Sequence, residues 1–359
     1  MLAQMKKMAG GDIGGRFGAW WNGRDYTPPA ETEGEPATDA ASAPAKGKAK
    51  AEEKPAEKPV EVPPAPKPVQ AAAAAEDLDG GAVRIRALET LWGEGRLAPG
   101  SFALDTRIID ATLELTDRPG DIGFIGGDGA LLNAFVALSD RKPRSTEWRR
   151  ACISRITELV PTAIVTLGEV DRPRGFEEGS MPAIVSVEAF AYADHKAGLV
   201  GRVFRALDAR GRWVFLDTTR RTKKTPPQAF ASAWAEPQLS TNDEIEELLT
   251  LAGFKSVRRV PASDLVLAAA RQGYANLTNV LERAATSGMT GREGALFLQE
   301  LAWEAQSWRA RTRAIEGGAL EINLWVADKT EQNAPLGVSL DMVVRPDDAG
   351  AADALFDKA

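Results

Sequence analysis

Between residues 121 and 129 the chain reads Asp121-Ile-Gly-Phe-Ile-Gly-Gly-Asp-Gly129. Glycines as close together as Gly126, Gly127 and Gly129 let a backbone turn approach a bound group where a Cβ would clash, or hold a positive φ. Further on, Glu188 and Asp217 each close an apolar run, and Tyr192 and His195 follow the first of them. A carboxylate can hold a cationic amine, and tyrosine or histidine can pass a proton. His195 and Cys152 are the only residues of their types. One cysteine forms no disulfide within the chain and no cysteine-based zinc site, and one histidine excludes histidine-rich metal sites, so no metal is expected. The run Arg220-Arg-Thr-Lys-Lys224 follows the second acid. A charge run on a loop is usually a solvated face; its other reading is contact with an anionic headgroup or an acidic partner.

The elements that must position these residues fall in one part of the chain. Its 359 residues suggest one large domain plus flexible sequence. Residues 1–26 end in an aromatic segment that holds Phe17, Trp20, Trp21 and Tyr26. Residues 27–79 are dominated by Pro, Ala, Lys and Glu and hold no aromatic residue. Such a stretch buries too little apolar surface to offset its ordering entropy, and reads as a disordered linker. Residues 80–329 read as the folded domain, and residues 330–359 as a tail with one strand-like piece at 338–344. The net charge of -7 argues against nucleic acid as a partner. The first 15 residues carry Lys6 and Lys7 without an apolar core, so they are no secretory signal. No apolar stretch reaches 18 residues, the length of a membrane span. A cytoplasmic protein is expected.

Within the domain, strand-like and helix-like patterns alternate. Residues 121–126 read as a strand and 129–138 as a helix. Residues 147–159 read as a second helix, 163–167 and 183–187 as strands. Residues 196–207 put Leu199, Val200, Val203 and Leu207 on one helical face. Residues 212–216 form the next strand, and 243–251 a helix stopped by Gly253. This alternation implies an α/β fold, a parallel sheet with helices on both faces. Residues 265–317 read as mostly helical, with Leu298, Leu301, Ala302, Ala305 and Trp308 on the core-facing side. Residues 320–327 return to strand, expected as an antiparallel edge.

Two segments carry a family resemblance. Glu89-Thr-Leu-Trp-Gly-Glu-Gly-Arg-Leu-Ala-Pro-Gly100 resembles the segment before the first strand of phosphoethanolamine and sarcosine/dimethylglycine type N-methyltransferases. Pro182-Ala-Ile-Val-Ser-Val-Glu-Ala-Phe-Ala-Tyr192, with His195-Lys196 and Leu207-Asp-Ala-Arg-Gly-Arg-Trp-Val-Phe-Leu-Asp217, is similar to the fourth strand, helix and fifth strand of the class I methyltransferase fold. The resemblance covers about residues 83–329. It implies a Rossmann-like, mostly parallel seven-stranded sheet with a helical lid inserted at about 265–317. It also implies S-adenosylmethionine as cofactor and a small molecule, an amine or similar, as substrate.

Carried over residue by residue, the family pattern assigns Gly126, Gly127 and Gly129 to the cofactor turn if residues 121–126 are the first strand. Phe124 then stands where the family has an acid. In the other register Asp121 is that acid and Ile125 replaces a glycine. Glu147 is the candidate for the acid that takes the ribose hydroxyls, with Asp140 as fallback. Asp171 falls where an acid meets the adenine amine. Trp92 fills an aromatic position, Ala98 replaces a serine, and Ser101 replaces a glycine. Asp217, Tyr192 and His195 are the expected catalytic residues, and Glu188, on the same rim, and Trp92 are counted among the expected cofactor contacts. Loss of the motif acid implies weak cofactor binding. The competing expectation is a methyltransferase-like domain without catalysis, an assembly module that docks a partner through Phe17, Trp20, Trp21 and Tyr26, since tryptophan is enriched at interface hot spots.

Overall fold

The protein is represented by a computed structural model that describes residues 79–114, 119–222, 238–286 and 291–330. The aromatic segment at 17–26, the linker up to residue 78, Lys223 and Lys224, and the tail beyond residue 330 lie outside the described residues.

Asp79 caps α1 (Gly80–Trp92), its carboxylate accepting the amides of Gly81 and Ala82. α2 (Phe102–Leu113) follows, capped by Ser101. Then come β1 (Ile122–Ile125), α3 (Gly129–Leu138), β2 (Pro143–Glu147), α4 (Arg150–Leu159), β3 (Ile164–Leu167) and β4 (Met181–Val187). The short α5 (Ala189–Tyr192) and α6 (Lys196–Ala206) lead to β5 (Leu207–Arg220). The last third holds α7 (Asn242–Ala252), β6 (Ser256–Pro261), α8 (Ser263–Ala275), α9 (Leu277–Thr286), α10 (Gly291–Glu316) and β7 (Leu320–Asp328).

The sheet has seven strands in the order β3-β2-β1-β4-β5-β7-β6. β7 runs antiparallel to both β5 and β6, and the other pairs are parallel. Strand order reverses between β1 and β4, so the carboxyl ends of these two strands open the crevice where α/β folds gather ligands. One face carries an aromatic core: Trp213 and Phe215 of β5 and Trp325 of β7 pack with α6 and α7, Phe215 stacked on Trp325 at 5.7 Å. On the other face α2 lies against β4 and β5.

Three expectations need correction. Residues 147–159 are not one helix: Glu147 ends strand β2, and α4 starts at Arg150. β2, Pro-Arg-Ser-Thr-Glu, is polar in type but sits between β1 and β3, where each neighbour supplies backbone partners. β7 is not an edge; it lies inside the sheet, and the basic β6 covers its outer side. The buried stripe of α10 is Phe297, Leu301, Glu304, Trp308, Arg311 and Ile315, joined by Ser307 and Ala314. Leu298, Ala302 and Ala305 are only half-buried. Two charged side chains therefore occupy core positions of that helix.

Candidate functional site

The crevice starts at the turn after β1. Gly126 has φ of 70°, and a Cβ built on it would fall 2.3 Å from Cη2 of Trp148. No other residue type fits there, because both the backbone conformation and the space require glycine. Gly127 and Gly129 are less constrained, their built Cβ atoms each 2.6 Å from a leucine methyl that could shift, of Leu132 and Leu159 respectively. Asp128 caps α3, its carboxylate accepting the amides of Leu131 at 2.8 Å and Leu97 at 3.4 Å. Gly95 accepts the amide of Ala130 at 3.2 Å, which ties the 93–100 loop to the same turn. Phe124 is 0% exposed and meets Phe135 edge-on. The position of the family acid is thus a core position.

β2 delivers the next groups. Glu147 is 0% exposed, and both its oxygens are occupied by Arg149. Oε1 accepts Nε at 2.7 Å and the Arg149 amide at 2.8 Å, while Oε2 accepts Nη2 at 2.8 Å. The ring of Trp148, between them in sequence, turns onto Gly126 and joins the apolar cluster of Ile125, Ala189, Phe190 and Leu199. Val170 packs against that cluster. Its neighbour Asp171 accepts the His195 amide on Oδ2 at 3.2 Å. The other oxygen, Oδ1, is buried without a hydrogen-bond partner. Burial pushes this carboxyl above the usual aspartate range.

The rim beyond β4 is charged. Glu188 has φ of 56°, the only positive φ outside glycine among the described residues. Its Oε1 lies 2.5 Å from Nη1 of Arg311, with side-chain exposures of 17% and 4%. Arg311 also stacks on Trp308. Asp217 is buried and accepts three amides: Phe190 at 2.8 Å, Ala191 at 3.1 Å and Thr218 at 3.0 Å. Burial, and then the Glu188 charge, push its carboxyl up to about 7. Lys196 donates to the carbonyls of Phe190 and Ala193, and burial lowers its ammonium to about 8. Burial also raises the Tyr192 phenol well above its ordinary value.

Gly126, Glu147 and Glu188 thus follow or close β1, β2 and β4, while Asp217 lies inside β5, which runs on to Arg220 against β7, with Tyr192 just beyond Glu188. Trp92 lies under α10 instead, donating from Nε1 to Glu304 at 3.0 Å and meeting Tyr274 and Trp308 edge-on. Glu304 also pairs with Arg84 of α1. His195 is exposed, and it reaches Asp171 through its backbone. Asp140 is exposed, before β2, not at the strand end that Glu147 occupies. Cys152 is buried, its thiol pushed up to about 12 by burial, so it is no nucleophile. Trp148, Arg149, Lys196 and Arg311 were not foreseen as parts of the site. The one signal in the sequence was the placing of Glu304 and Arg311 in phase with the apolar stripe of α10. Among the described residues no cluster of acids, histidine or cysteine could hold a metal ion, and no helix is long and apolar enough to cross a membrane.

No family model and no curated protein matches the sequence. Solved structures do match. Phosphoethanolamine N-methyltransferase 2 of Haemonchus contortus, solved with phosphomonomethylethanolamine and S-adenosylhomocysteine, superposes with a TM-score of 0.56 at 16% identity, over 68% of this chain and 57% of that one. The chain therefore spans little more than half the length of that enzyme. A protein assigned as a sarcosine dimethylglycine methyltransferase of Galdieria sulphuraria gives 0.53 at 14% identity, over 69% and 98% of the two chains. The [4+2]-cyclase SpnF gives 0.53 at 12% identity, over 69% and 93%. At such identities the likeness establishes the fold: the described residues adopt the class I methyltransferase fold, with the helical insertion expected of it. The presence of a cyclase among these structures illustrates that the fold alone does not fix the reaction.

Proposed function

We propose that this chain is an S-adenosylmethionine-dependent methyltransferase of the small-molecule kind, which binds its cofactor weakly. The observation that carries this reading is Asp171 Oδ1, a buried carboxylate oxygen without a partner. Leaving such an atom unsatisfied costs about 1–3 kcal/mol or more, which a ligand donor would recover. The exocyclic amine of adenine is such a donor, and Asp171 follows β3, where the fold receives the nucleoside. Gly126, Gly127 and Gly129 would admit the methionine part, and Glu147 would take the ribose hydroxyls.

Two groups stand in the way. The ring of Trp148 covers Gly126, and Arg149 holds both oxygens of Glu147. Cofactor entry therefore requires Trp148 to swing out and Arg149 to release, and that rearrangement weakens binding. When bound, the cofactor supplies an electrophilic methyl group on a sulfonium. The chain's own part is to hold and orient a nucleophile and to exclude water. Glu188, partly open on the rim, is the carboxylate placed to attract an amine, with Arg311 of α10 beside it. Asp217 acts one step back: it fixes the amides of α5 and so positions Glu188 and Tyr192.

The test compares S-adenosylhomocysteine with its inosine analogue, which has a carbonyl oxygen in place of the amine. Tighter binding of the adenine form by about ten-fold or more is expected, from about 1.5–3 kcal/mol for a hydrogen bond to a charged group. Asp171→Ala should erase the difference. Equal affinity in the unaltered chain rejects the assignment of Asp171.

A second reading rests on the Glu147–Arg149 pair. A carboxylate saturated by its own neighbour suits a domain that has given up the cofactor and serves as an interaction module. Absence of any binding of either compound supports that reading.

A further inference from the structure

The two edges of the sheet differ. β6 closes one of them with Arg258, Arg259 and Pro261, residue types that discourage a further strand. β3 closes the other with Ile164-Val-Thr-Leu167, which carries no charge and no proline. Ile164 and Leu167, at 43% and 38% exposure, are two of the five exposed large apolar side chains among the described residues. Gly168 donates to the Glu147 carbonyl of β2 at 3.1 Å, and β3 runs parallel to β2. Alternate residues of a parallel strand bond a given neighbour, so Val165 and Leu167 turn their amides and carbonyls outward. Among the described residues no backbone bond reaches these two from outside the sheet. The loop that leaves β3 crosses the face of the sheet instead of its edge. There Arg174 accepts the Thr146 hydroxyl, and a Cβ built on Gly175 falls 2.9 Å from Oγ1 of Thr166.

We infer that β3 pairs antiparallel with β3 of a second copy of this chain, about a two-fold axis through Thr166. The strand matches itself in that register. Val165 faces Leu167 of the second copy, and Thr166 faces its own counterpart; apolar and Thr–Thr pairs of this kind stabilise a sheet. Val165 and Leu167 are the residues with outward backbone groups, so they form two hydrogen-bonded pairs, each exchanging both its bonds. The charge nearest the strand, Glu169, falls opposite Ala163, so no like charges meet. Since the β6 edge is guarded, pairing stops at two copies and closes as an isologous dimer. Strands this short bury well under the roughly 1,600 Å² of a standard interface, so the dimer is weak, with a dissociation constant of about 10–100 µM. The pairing does not depend on the cofactor reading, although Gly168 opens the loop that carries Asp171.

Thr166→Cys tests the register in the full chain. Facing residues of a non-hydrogen-bonded pair stand about 4.5 Å apart at Cα, within the span of a disulfide. The native Cys152 is buried and does not compete. Mild oxidation should link Thr166→Cys into a dimer at least about ten-fold faster than Ser256→Cys, on the guarded edge. Sedimentation equilibrium of the unaltered chain should show reversible dimers as its concentration rises through the same micromolar range. Leu167→Lys, which sets a cation on the bare edge, should weaken them at least about ten-fold. Leu251→Lys, at an exposed site elsewhere, should leave them unchanged. A monomer at every concentration would overturn the inference. So would dimers that survive Leu167→Lys while Thr166→Cys fails to cross-link, since the contact then lies on another surface.

Discussion

Asp217 sits in a cage of three amides, yet its carboxyl is pushed up to about 7 because burial outweighs those donors and Lys196. Its unfolded value is about 3.9. An acid whose pKa rises on folding binds its proton more tightly in the folded state. Its contribution is therefore greatest below about pH 4 and is lost as the pH rises towards 7. Unfolding by urea should show the chain losing stability relative to Asp217→Asn across that window, by on the order of 1–4 kcal/mol. A constant gap between the two would refute the assignment. In a turnover assay Asp217→Asn should matter more than His195→Ala, because the imidazole is exposed and only its amide meets the site. Equal losses would contradict that ranking.

Glu188 poses a contest of two magnitudes at the same scale. Its φ of 56° stores strain of roughly 1–3 kcal/mol. Its ion pair with the buried Arg311 is worth more when broken, up to about 3–5 kcal/mol, since a buried charge loses this carboxylate. Glu188→Gly should thus destabilise the protein by a net few kcal/mol despite relieving the backbone. A more stable variant in a thermal melt would show that the pair contributes little.

At the scale of elements, α7 illustrates what periodicity and caps make legible. Thr241 and Glu244 close a capping box, and Gly253 with φ of 106° ends the helix. Thr241→Ala should cost about 1 kcal/mol. On α10, Glu304→Ala should cost more, about 3 kcal/mol, because Arg84 and the Trp92 indole lose a buried acceptor. Circular-dichroism melts of the two variants would expose a reversed order. α3, α6, β4 and β5 were legible for the same reason as α7, since their apolar spacing matches the faces they bury. β2 and β6 were not. Their residues are polar, and a strand flanked by parallel neighbours, or laid on an edge, needs no alternating pattern to be held. The stripe on α10 was misplaced because Glu304 and Arg311 looked like surface residues until their partners, far away in sequence, were in place.

For the molecule as a whole, the alternation of elements carried the fold, the ends of apolar runs pointed to Glu188 and Asp217, and the family resemblance to Gly126 and Glu147. What no local pattern disclosed was direction. Whether Trp148 turns outward or onto Gly126, and whether Arg149 folds back on Glu147, depends on the packing of β1, β4 and α6 around them. That packing decides whether the crevice, proposed to receive a nucleoside, is covered by the chain's own side chains. Calorimetric titration of S-adenosylhomocysteine into the full chain and into Trp148→Ala tests it, with Trp148→Leu as a second variant that retains apolar volume. The unaltered chain should bind with a dissociation constant of roughly 100 µM or weaker, and the variants at least about ten-fold more tightly. Low-micromolar binding by the unaltered chain, or variants that fold yet bind no better, would show that Trp148 does not obstruct the crevice.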